Sequence, residues 1–79
     1  MMKWIKNTKG DYFNMDDITT IEWKKNGSAI GASFDLKCEN TTGIHILSTC
    51  DSEENRQIIT EKLEQFLNND EHLLIIPKL

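Results

Sequence analysis

Apolar and polar residues alternate with a period of two over much of residues 2–50, then recur at helical spacing over 51–69. The first pattern reads as strands and the second as one amphipathic helix. Met2–Asn7 alternates loosely, Thr8-Lys9-Gly10-Asp11 signals a turn, and Tyr12–Met15 reads as the returning strand. Pairing Trp4 with Met15 or Ile5 with Phe13 both fit this hairpin. Asp16-Asp17 marks a bend. Thr19–Lys25 puts Ile21 and Trp23 on one face, and Asn26-Gly27 is a strong type I′ turn signal. In Ser28–Cys38, Ile30, Ala32, Phe34, Leu36 and Cys38 share a face. A turn at Asn26-Gly27 therefore predicts Trp23 opposite Ile30 and Ile21 opposite Ala32. A three-residue loop, Asn40–Thr42, then pairs Cys38 with Ile44 and Leu36 with Ile46, with Gly43 at the left-handed position. The two-residue alternative sets Ile44 and Ile46 against Glu39 and Lys37, and is the poorer match.

Asp51 and Ser52 are N-cap residues, and Glu53-Glu54 suits the positive end of a helix. Ile59, Leu63, Phe66 and Leu67 form one stripe, with Ile58 at its edge. The expected fold is α+β: a four-stranded antiparallel meander over 2–50, covered by a helix over 51–69. These pieces make a single domain, 1–79. The final run, Leu73-Leu74-Ile75-Ile76-Pro77-Lys78-Leu79, is a short terminal strand over 73–79. Pro77 confines it to a sheet edge.

With 79 residues, the chain has room for one thin core. Hydrophobic residues make up 38% and charged residues 28%, so disorder is not expected. The net charge of −4 is uneven: six Lys balance six acids in 1–50, whereas 51–71 sets seven acids against Arg56 and Lys62. An acidic helix repels phosphate, which argues against nucleic acid as a partner. No signal-like or membrane-spanning run appears, so a cytoplasmic, non-membrane location with reduced thiols is expected.

Cys38 and Cys50 fall roughly 20 Å apart in the expected register and read as small buried hydrophobes. His45, placed beside Lys37 across the sheet from Cys38, and His72, in the break after the helix, read as surface residues. Neither spacing nor pairing suggests a catalytic, cofactor or metal site, so the expectation is no enzyme, no cofactor and no metal. Gly31 marks a bulge or a close approach by another backbone, with Ala29 beside it. Trp4 and Trp23 read first as core. An exposed Trp4 is a candidate interface anchor.

The run Trp4-Ile5-Lys6 … Gly10-Asp11-Tyr12-Phe13-Asn14-Met15-Asp16-Asp17-Ile18-Thr19-Thr20-Ile21-Glu22, with Asp51-Ser52-Glu53-Glu54 opening the helix, resembles small proteins of low-GC Gram-positive bacteria and their phages. Some of these resemble a shortened pleckstrin-homology-like sheet capped by a helix. The resemblance implies a fold and carries no catalytic residues. It suggests, as one alternative, a phage or mobile-element accessory protein that inhibits a host factor.

The function expected is a non-enzymatic protein–protein interaction module, binding through a sheet edge or the C-terminal strand. A second copy, giving a homodimer, is among the partners considered. The candidate interface comprises Leu73, Leu74, Ile75, Ile76, Leu79, Gly31 and Trp4. A small-molecule-binding domain with its pocket at a dimer interface is the alternative from another class.

Overall fold

The computed structural model describes residues 2–28 and 31–79. In chain order the elements are β1 (Trp4–Lys6), β2 (Tyr12–Asn14), a 3-10 turn (Met15–Asp17), β3 (Thr20–Ser28), β4 (Gly31–Asn40), β5 (Gly43–Cys50), α1 (Glu53–Leu67) and β6 (Leu73–Ile75). The class is α+β, as expected. The strands, however, form two three-stranded sheets, ordered β2-β1-β6 and β3-β4-β5, rather than one four-stranded meander.

The first hairpin takes the Ile5–Phe13 register. Asn14 caps the 3-10 turn by accepting from the Asp16 amide at 3.0 Å, so Asp16-Asp17 ends β2 and sends the chain into the second sheet.

In that sheet the β3–β4 register differs from expectation. Ile21 pairs with Cys38 and Trp23 with Leu36, so Asn26-Gly27 lies within β3 and pairs with Ser33 and Ala32. The paired residues end at Ser28 and Gly31, and the expected positions of Ala29 and Ile30 lie outside the described residues. The reason is length. A turn at Asn26-Gly27 would set Leu36 against Asp17 and Cys38 against Met15, inside the 3-10 turn. Half of β4 would then have no partner, whereas the longer hairpin pairs every residue of Gly31–Asn40 but the last.

The β4–β5 hairpin also corrects the expected loop. Its tip is Thr41-Thr42, closed by Asn40 opposite Gly43, and Gly43 takes a φ of 124°. Asn40 Oδ1 accepts from the Thr42 amide at 2.9 Å and its hydroxyl at 2.7 Å, which fixes the tighter turn. Ile44 and Ile46 therefore oppose Glu39 and Lys37 on the outer face, 65% and 40% exposed. A bulge opposite Leu36/Lys37 then restores the inward parity, burying both Leu47 and Ser48.

Helix α1 is shorter than 51–69. Ser52 is its N-cap, accepting from the Asn55 amide at 3.1 Å, and Asn68 is its C-cap. Ile59 and Phe66 are buried and Leu63 packs beside them, whereas Leu67 is exposed. The core joins Ile5 and Phe13 from the small sheet, Leu36, Cys38 and Leu47 from the large one, Ile59 and Phe66 from α1, and Ile76 from the tail. Trp23 Nε1 donates to Thr60 Oγ1 at 3.0 Å, tying β3 to the helix.

A buried Asn7 ties the sheets together. Its Oδ1 accepts from the Lys9 and Asp11 amides at 3.0 and 2.8 Å, and its Nδ2 donates to the Ile46 carbonyl at 3.1 Å. The Thr8 amide adds a bond to the Leu47 carbonyl at 3.2 Å, the residue that the bulge presents.

Candidate interaction edge

The terminal run docks on its own chain, parallel to β1: Trp4 pairs with Leu73, Ile5 with Leu74 and Lys6 with Ile75. The strand spans Leu73–Ile75, not 73–79. The Trp4 amide donates to the His72 carbonyl at 2.7 Å, and the Ile76 amide to the Lys6 carbonyl at 3.0 Å. Backbone groups alternate sides along a strand. The N–H and C=O of Leu73 and Ile75 therefore point away from β1, along the open edge of the sheet. Pro77 shares their parity, so its missing N–H costs the β1 ladder nothing.

Side chains alternate as well. Leu74 and Ile76 turn inward, half-buried and buried. Leu73 and Ile75 turn to the outer face with Trp4, Lys6 and Tyr12. Leu73, Ile75 and Tyr12 are 40%, 59% and 56% exposed, and Trp4 is half-buried. The Lys6 ammonium lies 5.4 Å from the centre of the Tyr12 ring. The outer face of the small sheet thus sets Trp4, Tyr12, Leu73 and Ile75 around Lys6, with Asn14 at the far end of the Trp4 row.

An open groove of about 320 Å³ runs beside β6, bounded by Phe66 and Leu74 and rimmed by Lys62, Gln65 and Glu71. Lys3 ties the end of α1 to β1 nearby. Its Nζ donates to the carbonyls of Phe66 and Asn69, each at 2.5 Å, and lies 4.7 Å from the Phe66 ring centre. This holds the negative end of α1 against the start of β1.

The other edges are built differently. β3 carries Glu22, Lys24 and Lys25 along its exposed edge, and β2 is flanked by Asp11 and Asp16-Asp17. Charges of this kind discourage pairing with another chain. β5 is covered in part by the Asn7–Thr8 bonds. Neither β2 nor β6 carries a charge within the strand itself, and β6 is flanked by Asp70-Glu71 and Lys78; what sets β6 apart is its wholly apolar span, Leu73–Ile75.

Of the candidate interface residues, the structure brings together Trp4, Leu73 and Ile75. Leu74 and Ile76 serve the core instead, and Leu79 is exposed beyond the strand. Gly31 does not belong with them. It opens β4 in the other sheet, apart from Trp4, Leu73 and Ile75.

The titratable groups also shift from their expected places. Cys50 lies opposite Phe34, and His45 opposite Cys38, not beside Lys37. The His45 Nε2 lies 2.7 Å from Thr42 Oγ1 and 3.2 Å from Asn40 Oδ1, bracing the turn, and its ring packs on Phe13. Cys38 and Cys50 are buried free thiols, and desolvation pushes both above their usual pKa. For Cys50, the Asp51 and Asp35 charges add to the rise, while a backbone hydrogen bond from Ser52 and the Arg56 charge oppose it. A raised thiol pKa is the reverse of what an activated nucleophile needs. Among the described residues, no group of three or more His, Cys, Asp or Glu is placed to hold a metal ion, and no helix is long and apolar enough to cross a membrane.

Asn7 is the residue that sequence reasoning missed. Its signal is the spacing Asn7 … Gly10-Asp11, in which a side-chain oxygen can reach the amides of the turn it opens. Comparison with protein-family models, curated proteins and solved structures gives no match.

Proposed function

We propose that the protein is a non-enzymatic interaction module that receives an extended segment of a partner polypeptide along the free edge of β6. The observation that carries this reading is the contrast between edges. β3 carries charge along its length and β5 is tied down; β2 and β6 are both flanked by charge, but β6 sets its outward amides, at Leu73 and Ile75, on a wholly apolar strand beside an open groove. An added strand gains backbone hydrogen bonds at Leu73 and Ile75. One of its side chains enters the groove over Phe66 and Leu74, and its neighbours lie on the outer face beside Leu73 and Ile75.

The test is selection of peptides from a random display library against the full chain. Apolar, extended sequences are expected, with the Leu73 and Ile75 amides becoming protected from hydrogen exchange on binding. Ligands that protect other amides, or that bind Ile75→Pro as well as the native chain, would refute the reading.

A further inference from the structure

We infer that the segment β6 receives is the β6 of a second copy, paired antiparallel about a two-fold axis through Leu74. This inference rests on the edge reading above and supplies its occupant.

The argument is one of register. Outward amides at Leu73 and Ile75 are placed symmetrically about Leu74. With the axis at Leu74, Leu73 meets the partner's Ile75 and Ile75 meets the partner's Leu73. Each of these pairs exchanges both of its hydrogen bonds, and the two Leu74 residues form the non-bonded pair between them. The neighbouring registers are poorer. An axis at Leu73 sets Ile75 against the partner's Glu71. An axis at Ile75 sets Leu73 against the partner's Pro77, which has no N–H to give. Only the middle register keeps apolar residues opposite one another and every outward amide paired.

Charge favours the same alignment. Continued beyond the strand, it runs Asp70-Glu71 toward the partner's Pro77-Lys78, so opposite charges face each other at both ends. The pairing also joins the two outer faces. Trp4 and Leu73 continue into the partner's Ile75, Lys6 and Tyr12, and the two-fold repeats that row. A two-fold contact of this kind closes on itself and yields a dimer rather than a fibre. Three-residue strands bury little area, so the association belongs to the weak, concentration-dependent class.

The test combines mass with register. In a dilution series by sedimentation equilibrium, the native chain is expected to rise with concentration from its 9.1 kDa monomer toward twice that mass. Ile75→Pro, which removes an outward amide and no β1 bond, is expected to stay monomeric. Ile75→Lys provides the same readout should the proline variant fail to fold. Leu73→Cys mixed with Ile75→Cys under mild oxidation should form the mixed disulfide in excess over either homodimer. Directly opposed Cα atoms lie about 5.5 Å apart, within bridging range, and the native thiols are buried. Three results overturn the inference: a monomer at every concentration, a dimer that persists in both Ile75 variants, or homodisulfides in excess. If the chain stays monomeric but library peptides still protect Leu73 and Ile75, only self-pairing falls. If neither occurs, the edge reading falls with it.

Discussion

Asn7 is a single amide that holds a turn and joins two sheets, and at 5% exposure it has little water to fall back on. Removing its side chain frees the Lys9 and Asp11 amides and the Ile46 carbonyl together. Buried groups left without partners cost about 1–3 kcal/mol each. Lys9, Asp11 and Ile46 are themselves exposed, so water recovers part of this, and Asn7→Ala is expected to lower stability by about 1–2 kcal/mol in urea titration. Asn7→Asp keeps the acceptor but turns the donor to the Ile46 carbonyl and the Asp11 carboxylate, 3.1 and 3.4 Å away, into a repelling oxygen, so it should not recover the native stability. The thiols give a second residue-level expectation. Burial raises the pKa of Cys38 and Cys50 in the folded state, so the folded chain holds those protons more tightly than the unfolded one. The associated stability is complete below the unfolded thiol value of about 8.5 and is lost as pH rises through the higher folded values. Urea midpoints should fall above about pH 8.5. The fall should be shallower in a Cys38→Ala, Cys50→Ala variant compared with itself at neutral pH.

Two glycines separate the expected hairpins from the observed ones. Had Asn26-Gly27 formed the turn, Gly27 would need a positive φ. In β3 it has none, and an added Cβ meets only the flexible Lys25 side chain at 4.0 Å. Gly27→Ala should therefore be neutral or stabilise by up to about 1 kcal/mol, through lost freedom of the unfolded chain. Gly43→Ala meets open space but must hold a φ of 124°, and should cost about 1–3 kcal/mol. Thermal unfolding of the two variants tests both registers; a destabilised Gly27→Ala would restore the shorter hairpin. The element types, the helix stripe and the edge position of the tail were legible because each rests on local periodicity or on one residue's chemistry. Register was not legible in the same way. The Asn26-Gly27 signal is local, and the ladder outweighs it by giving β4 a full-length partner. Ile44 and Ile46 suggested an inward face, yet the turn that Asn40 stabilises sends them outward, and Leu47 is recovered by a bulge that periodicity cannot announce. Division into two sheets depends on Asn7 and on β6 returning to β1, contacts between residues distant in sequence. At the candidate edge, Leu73 and Ile75 were named from the apolar terminal run and Trp4 from its size near the chain start, and the structure sets the three on one face. Gly31 was named because a lone glycine in a strand can mark a bulge or a close approach, and it lies in the other sheet, apart from these three.

For the whole molecule, β6 has two jobs carried by opposite sides of one strand. Leu74 and Ile76 point inward and complete a core too small to spare them, whereas Leu73 and Ile75 point outward. A chain of 79 residues has little stability in reserve, and truncating one well-buried aliphatic residue costs about 2–5 kcal/mol. Ile76→Ala should thus lower the denaturant midpoint sharply, with Leu74→Ala following to a lesser degree because it is only half-buried. Leu73→Ala and Ile75→Ala should stay within about 0.5 kcal/mol of the native chain, as exposed substitutions usually do. Removing residues 73–79 takes away the inward pair and the β6 ladder together, and the remainder is expected to lose cooperative unfolding, followed by circular dichroism. Loss of binding on truncation would therefore say nothing about recognition, since the scaffold would be gone. The outward substitutions leave that scaffold intact, so any association they abolish belongs to the edge itself. Equal destabilisation by inward and outward substitutions would mean that β6 has no free side and is core alone.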